Sequence, residues 1–419
     1  MKPGVIVLTV ILVLVAFACG FGALTIQANI AQPLASQGAP VRPFVVNSGD
    51  TINTIADNLQ QQKFIRNALF MKLYLKVKGK SPTVDPGTYQ LSASMTLDQI
   101  IAALQKAPAV LQYQFTVPEG ERLTQYPDAI VGSLKLAGGS GNATLTLPNF
   151  SKDDFLKAAV QGQSIQDLDL TKYWFVKAWK VPPAYAALEG FLTPSTYDIL
   201  PTATTGQVIT TMLNYTVSLL CPGPTSNPIQ YADSQQDCQS HQATITPAAA
   251  PAGVQMTVGP AIGTMDALTK YYKGNFQEAL ILASLAQREA RSPGHFEAVA
   301  SVYYNRWQET SADTVGFLGA DPAEQYYLDS KSGTNKPWEP LPDAPSNLPN
   351  NPYNLYLTKG LPPSAIAGAG KSALYAALDP PKSNYLYFLF EKDCQNHYFT
   401  NGAAEQADLG KVAGPNDCS

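Results

Sequence analysis

The sequence predicts an α+β protein with an N-terminal transmembrane helix, a small module after it, and a larger mixed α+β domain. Three observations predict this class. The chain begins with an uncharged segment as long as a bilayer crossing, short strand-like runs recur along it, and longer runs with the helical period lie between them. With 419 residues, 45% of them hydrophobic and 10% aromatic, the chain is long enough for two or three domains.

The amino-terminal segment is expected to span a membrane. From Gly4 to Leu24 there is no charge, and a helix of that length extends about 31 Å, roughly the thickness of a bilayer core. A cleaved signal peptide, or a lipoprotein leader cut before Cys19, stays open because small residues interrupt the run. We predict an uncleaved anchor over residues 1–27 and a stalk over 28–42. All three alternatives export the rest of the chain.

Composition limits the class of function. Charged residues make up only 14% of the chain, the net charge is −4, and Lys and Arg do not cluster, which argues against nucleic-acid binding. Four cysteines lie outside the anchor, and an even number fits two disulfides in an oxidising compartment. We expect Cys221 to pair with Cys238 and Cys394 with Cys418, although three connectivities are possible. No CxxC spacing occurs and histidines are few, so we expect no metal site and no cofactor.

Residues 43–108 are predicted to form a compact module. It contains predicted strands over 44–46 and 86–91 and predicted helices over 52–59, over 69–77 and from the cap Thr96 onward. The strand, the Gly-Asp-Thr turn and the following helix resemble a LysM-type glycan-binding module.

Residues 109–419 are predicted to form the larger domain. It has strand-like runs over 113–117 and 385–390 and helical runs over 275–289 and 296–307. Residues 219–262 are rich in Pro, Ala, Thr, Ser and Gln and have no hydrophobic period, which indicates a low-complexity surface insert.

Glu289 is the strongest candidate for chemistry. It ends the predicted helix 275–289, on the same apolar stripe as Leu282 and Leu285. An apolar setting disfavours the charged form of a carboxyl and raises its pKa, and a carboxyl that is neutral near pH 7 can act as a general acid. The alternative is a core glutamate whose polar atoms are satisfied. Serine acyl-enzyme chemistry is not expected, because the chain has neither a Gly-x-Ser-x-Gly nor a Ser-x-x-Lys motif.

Nine segments share their order and spacing with a known family. They are Pro118-Glu119-Gly120, Glu189 to Tyr197, Ala283 to Glu289, Val299 to Arg306, Asp321-Pro322 with Tyr326, Tyr353 to Tyr356, Gly360 to Ile366, Tyr385 to Phe388, and His397 to Thr400. Together they resemble the endolytic murein transglycosylase (YceG-like) family. One position departs from the family, which usually has a glutamate where this chain has Gln287. That residue lies about 160° around the helix from Glu289, so we expect it to lie outside the same pocket.

The resemblance implies a lyase that cuts peptidoglycan glycan strands between N-acetylmuramic acid (MurNAc) and N-acetylglucosamine (GlcNAc). By its place in the motif, Glu289 would protonate the glycosidic oxygen while the muramyl C6 hydroxyl attacks C1, which gives 1,6-anhydroMurNAc ends. The resemblance also implies a single-pass protein of the bacterial cell membrane with an extracytoplasmic catalytic domain. Such an enzyme would terminate nascent strands near peptidoglycan polymerases.

Further site residues are predicted from the same segments. For each of them a structural role is the alternative: a turn for Glu189 and Asp321, a helix end for Asn305, and core packing for the aromatic side chains. The candidates for substrate binding are Glu189, Asn305, Asp321, Tyr326, Tyr353 and Asn354. Two other functions stay open, a non-catalytic peptidoglycan-binding scaffold and a hydrolytic muramidase. The muramidase would need Glu189 or Asp321 as a second carboxylate across from Glu289.

Overall fold

The structure, a computed structural model, is mixed α+β. It describes residues 32–36, 38–46, 50–78, 84–85, 87–106, 112–137, 145–178, 187–224, 230–290, 295–308, 314–332 and 337–412. The chain divides into two compact units, residues 1–112 and residues 113–419.

The predicted fold class is corrected at the amino terminus. No helix among the described residues is long and apolar enough to cross a membrane, so the predicted transmembrane helix is not seen. The longest described helix, Thr205–Leu220, has 16 residues, whereas a crossing takes about 20. The predicted anchor over residues 1–27 lies outside the described residues.

The first unit is a two-stranded sheet with three helices. Its elements are β1 (Val41–Val46), α1 (Ile52–Gln61), α2 (Ala68–Val77), β2 (Gly87–Ser92) and α3 (Leu97–Leu104). The two strands pair antiparallel, with Phe44 opposite Tyr89. Thr96 caps α3 as predicted, and Gln99 completes the capping box by accepting from the Thr96 backbone N–H. Apolar faces of all five elements form one core. The likeness to a LysM-type module stays a prediction.

The second unit carries the remaining elements. Its strands are β3 (Tyr113–Thr116), β4 (Lys135–Leu136), β5 (Thr196–Ile199), β6 (Thr244–Ile245), β7 (Ile262–Gly263), β8 (Tyr387–Phe390) and β9 (Asn396–Phe399). Its helices are α4 (Tyr126–Gly132), α5 (Lys152–Ala159), α6 (Trp174–Lys177), α7 (Thr205–Leu220), α8 (Gln235–Ser240), α9 (Thr264–Tyr272), α10 (Phe276–Glu289), α11 (Phe296–Gln308), α12 (Asp321–Ser332), α13 (Lys371–Leu378) and α14 (Gly402–Asp408). The strands form an antiparallel sheet in the order β4-β3-β5 and two antiparallel pairs, β6-β7 and β8-β9.

Helix α10 lies at the centre of this unit. It packs against α9, α11, α12 and α13, and every residue from Ala279 to Ala286 is buried. These two turns of the helix are therefore surrounded by protein on all sides, where the sequence predicted a single apolar stripe. Close packing is possible because α13 presents the small side chains of Ala373, Ala376 and Ala377, all of them buried.

Part of the predicted insert, residues 219–262, has regular secondary structure and packs into this unit. Cys221, at the end of α7, forms a disulfide with Cys238 of α8, which is the expected pairing. Both cysteines are completely buried and join the core, as does Ile245 of β6. Cys394 is also disulfide-bonded, and its expected partner Cys418 lies outside the described residues.

Removing the Cys221–Cys238 bond is expected to destabilise the second unit. The bond closes a loop of 17 residues, and a crosslink of that size contributes about 3 kcal/mol in the chain-entropy account. We expect the double variant Cys221→Ala/Cys238→Ala, which keeps the site apolar, to lose roughly that much free energy of unfolding in a urea titration. An unchanged transition would show that core packing alone holds the segment.

Candidate active site

Glu289 is the last residue of α10. The helix ends there because Ala290 turns to an extended backbone with φ −78° and ψ 111°. One carboxyl oxygen, Oε1, accepts a hydrogen bond of 3.1 Å from the hydroxyl of Tyr303 on α11. Tyr303 is completely buried, whereas Glu289 is only half-buried. The carboxyl is therefore held from the core side and remains reachable from solvent.

The surroundings raise the pKa of this carboxyl to near neutrality. Burial raises the pKa of Glu289 to about 7, and the negative charge of Asp321 adds to the rise. The Tyr303 hydrogen bond and the positive charges of Arg288 and Arg306 act in the opposite direction, because they favour the ionised form. The rise in pKa that the sequence predicted is confirmed. At neutral pH both protonation states of Glu289 are populated.

Asp321 lies on the open side of the site. It is the first residue of α12, its side chain is exposed, and it accepts a 2.7 Å hydrogen bond from the hydroxyl of Tyr356. Tyr356 is 39% exposed, and burial together with Asp321 raises its pKa. The structure thus brings Asp321 into the electrostatic surroundings of Glu289, with Tyr356 beside it.

Asn305 and Arg306 fix the segments around Glu289. The Asn305 side chain donates to the carbonyl oxygens of Ser383 and Tyr385, both at 3.0 Å. Arg306 donates to the carbonyl oxygens of Leu386 and Leu318. Both side chains therefore tie α11 to the chain leading into β8, which is consistent with a positioning role for Asn305.

Glu189 is placed inside the protein. It is only 3% exposed. Its Oε1 accepts the backbone N–H of Leu123 at 3.1 Å, and its Oε2 accepts the hydroxyl of Tyr326 at 3.3 Å. Burial raises its pKa to about 7, although these two hydrogen bonds and the charge of Arg122 lower it. With both oxygens facing the core, the surroundings of Glu189 favour a structural role.

The other three predicted residues are also buried. Tyr326 is 6% exposed, and Tyr353 and Asn354 are fully buried. The Tyr353 hydroxyl is 2.7 Å from the Ser364 hydroxyl, and the Asn354 amide donates to the Pro345 carbonyl oxygen at 2.9 Å. A role in substrate binding stays a prediction for all three, and their burial favours core packing.

Gln287 and Arg288 connect the end of α10 to neighbouring loops. Gln287 Oε1 accepts the backbone N–H of Gly370 at the start of α13, 2.9 Å away. Arg288 donates to the Gly120 carbonyl oxygen at 3.3 Å, and its guanidinium lies 3.8 Å from the Trp338 ring centre. Gln287 thus contacts a neighbouring loop, whereas the charge of Arg288 also acts on the Glu289 carboxyl.

Sequence reasoning missed Tyr303, Tyr356 and Trp338 as site residues. A sequence feature could have identified Tyr303, because it lies on the apolar stripe of α11 in a segment shared with the family. Tyr356 had such a feature too, as the last residue of a shared segment. Trp338 had none, since the two arginines that its ring contacts, Arg122 and Arg288, are distant in the sequence.

An α+β unit that holds a half-buried carboxyl of near-neutral pKa at the end of a core helix is typical of enzymes that use acid–base catalysis. The chain belongs to the YceG-like family, whose family model matches residues 44–410. The resemblance found from the sequence motifs is therefore confirmed.

Two curated relatives and one solved structure are similar to this chain. The endolytic murein transglycosylase of Bacillus subtilis (strain 168) is 28% identical over 369 residues, covering 88% of this chain and 84% of that protein. The protein of the same name from Streptococcus pneumoniae serotype 2 (strain D39 / NCTC 7466) is 23% identical over 366 residues, and the match spans only 55% of its length. A 2.6 Å crystal structure of a yceG-like protein from Listeria monocytogenes is 26% identical, with coverage of 88% of this chain and 98% of that one and a TM-score of 0.46.

The buried Glu189 makes stability depend on pH. In the folded protein it keeps its proton up to about pH 7, whereas an unfolded glutamate ionises near about pH 4.3. The folded state therefore binds more protons in this window, and stability declines as the pH rises through it. We expect Glu189→Gln to remove up to roughly 3 kcal/mol of that decline, an order-of-magnitude figure for a shift of this size.

Urea titrations at pH 5, 6.5 and 8 measure this effect. Glu189→Gln should gain stability relative to the wild type as the pH rises, because the amide cannot ionise. Glu119→Gln is the control, since the carboxyl of Glu119 is exposed. Parallel pH dependences for wild type and Glu189→Gln would contradict the prediction.

Proposed function

We propose that this chain is a peptidoglycan lytic transglycosylase, a lyase that cuts within glycan strands between MurNAc and GlcNAc. The observation that carries the proposal is the half-buried Glu289 carboxyl, with a pKa of about 7, at the end of a core helix in a YceG-like chain. Two curated relatives named endolytic murein transglycosylase support the substrate class.

In the proposed reaction Glu289 is the general acid and then the general base. The protonated carboxyl gives its proton to the glycosidic oxygen, and the bond from that oxygen to the muramyl C1 breaks. GlcNAc leaves with a free hydroxyl. The muramyl C6 hydroxyl forms a new bond to C1 and loses its proton to the Glu289 carboxylate. The product carries a 1,6-anhydro bridge, and Glu289 is protonated again.

One carboxyl is sufficient for this chemistry. A hydrolase needs a second carboxylate, as a nucleophile or to activate water, whereas here the nucleophile is already part of the substrate. The fixed geometry of an intramolecular hydroxyl lowers the barrier through proximity. Acid–base catalysis by Glu289 should contribute about 10²–10⁴ in rate.

Neighbouring groups have roles in the same proposal. Asp321, exposed on the open side of the site, supplies negative charge where the sugar becomes oxocarbenium-like and positive. Tyr303 orients the carboxyl through its hydrogen bond to Oε1. Asp321 is also the carboxylate whose negative charge acts on Glu289. A muramidase mechanism would therefore use Asp321 as its second carboxylate.

The biological role follows from the place of the cut. An enzyme that cuts within strands shortens them, so we propose that it terminates glycan elongation during cell-wall growth. Peptidoglycan polymerases, which extend the same strands, are the partners this role implies.

The acid is tested by substituting Glu289. We expect Glu289→Gln to lower the rate of anhydroMurNAc formation from purified glycan strands by about 10²–10⁴, because the amide cannot donate a proton. Mass spectrometry of the ends measures this. Glu278→Gln is the matched control: it changes a carboxyl in the first turn of the same helix, also raised in pKa by burial, and should keep its activity.

The outcomes separate the competing functions. AnhydroMurNAc ends that persist in Glu289→Gln would contradict the assignment of the acid. Reducing ends would indicate a muramidase, and no cleavage by the wild type would indicate a non-catalytic binding scaffold.

Two substitutions should move the pH dependence in opposite directions. The free enzyme needs a protonated Glu289, so kcat/KM should fall as the pH rises through about 7. Tyr303→Phe removes a hydrogen bond that favours the ionised form, so the fall should move to higher pH. Asp321→Asn removes a charge that disfavours the ionised form, so the fall should move to lower pH. Shifts in the same direction would contradict these electrostatics.

A further inference from the structure

Trp338 has an unusual backbone conformation. Its φ is +66°, in the left-handed region that a bulky aromatic residue rarely adopts. Its backbone N–H donates to Asp329 Oδ2 at 2.7 Å. The same oxygen receives a 2.6 Å bond from the Arg122 guanidinium in a buried ion pair. A strained residue that persists in this way is held by its surroundings, and such residues cluster at functional sites.

The Trp338 ring joins two guanidinium groups. Arg122 lies 4.7 Å and Arg288 3.8 Å from the ring centre. The Nε atoms of both arginines are buried and have no hydrogen-bond partner among the described residues. Two contacts therefore hold the Arg288 guanidinium in place. They are the stacking on the Trp338 indole and one 3.3 Å hydrogen bond to the Gly120 carbonyl oxygen.

Arg288 directly precedes Glu289 at the end of α10. A misplaced Arg288 would alter both the last helical turn and the charge beside the carboxyl. We propose that Trp338 is a positioning residue for Glu289, which acts by holding the Arg288 guanidinium in place. Asp329 and Arg122 hold Trp338 in turn, so the end of α10 is tied to α12 and to the turn after β3.

The charges facing Glu289 determine what loss of this contact would do. On its own helix the neighbour is Arg288, α11 contributes Tyr303 and Arg306, α12 contributes Asp321, and the loop before α13 contributes Tyr356. Arg288 favours the ionised form of Glu289. If Arg288 moves away, the titration midpoint of Glu289 should therefore rise.

Carbon-13 NMR of the glutamate side-chain carboxyl carbons tests the proposal on the full chain. The Glu289 signal is identified by its absence in Glu289→Gln, and its midpoint is followed with pH. Trp338→Gly removes the ring and tolerates the positive φ. We expect it to move the midpoint to higher pH, and Arg288→Met to do the same. Trp338→Phe, which keeps an aromatic face, should restore most of the wild-type midpoint.

A double variant shows whether Trp338 acts through Arg288. Trp338→Gly/Arg288→Met should shift the midpoint no further than Arg288→Met alone. Trp307→Ala is the matched control, because Trp307 is also half-buried and contacts Tyr272 and Tyr304 rather than an arginine. If Trp338→Gly does not fold, Trp338→Asn replaces it, since asparagine tolerates the left-handed region.

An unchanged midpoint in Trp338→Gly, or additive shifts in the double variant, would overturn the proposal. The inference builds on the proposed role of Glu289, yet its measurement needs no substrate. A wild type that cuts no glycan while the midpoints shift as expected would refute the proposed function and leave the positioning contact standing. If the wild type cleaves glycan but Trp338→Gly leaves the Glu289 midpoint unchanged, the positioning contact would be refuted and the proposed function would stand.

Discussion

The burial of α10 on every side from Ala279 to Ala286 is the constraint on which the site depends. A helix buried over these two turns cannot rotate or slide without disturbing α11, α12 and α13 together. Polar contacts add to this fixed position. The Ser284 hydroxyl accepts the backbone N–H of Ile366 at 3.1 Å, and Gln287 accepts that of Gly370 at 2.9 Å. The core thus sets the place of the last helical residue, and that residue is Glu289.

The helix end also helps to explain the chemistry of the carboxyl. Unpaired carbonyl groups give the C-terminus of a helix a partial negative charge, which disfavours an ionised glutamate there. The carboxylate of Asp321 acts in the same direction. Arg288 and Arg306 oppose both effects, and their guanidinium groups are held by other contacts, to Trp338 and to backbone carbonyl oxygens. The near-neutral pKa of Glu289 therefore results from burial, its largest cause, together with a balance of fixed charges.

Much of the fold could be predicted from the sequence, because local signals specify it. The cap at Thr96, the helices that begin at Ile52 and Phe296, and the pairing of two cysteines 17 residues apart depend on neighbours in the chain. The position of Glu289 at a helix end could be predicted for the same reason, and its catalytic role stays a proposal. The transmembrane helix, in contrast, was predicted from the length of one uncharged run, and no described helix is long enough for it.

The rest of the site depends on contacts that the sequence does not display. A segment shared with the family points to a residue, but the exposure of its side chain decides whether the role is in binding or in packing. The burial of Tyr353 and Asn354 follows only from the packing of elements distant in the sequence. The two carboxyls with a pKa of about 7 show the same limit. Glu189 has both oxygens bonded inside the core, whereas Glu289 keeps one side towards solvent. A raised pKa marks a buried carboxyl, and only access to a substrate can make such a carboxyl a general acid.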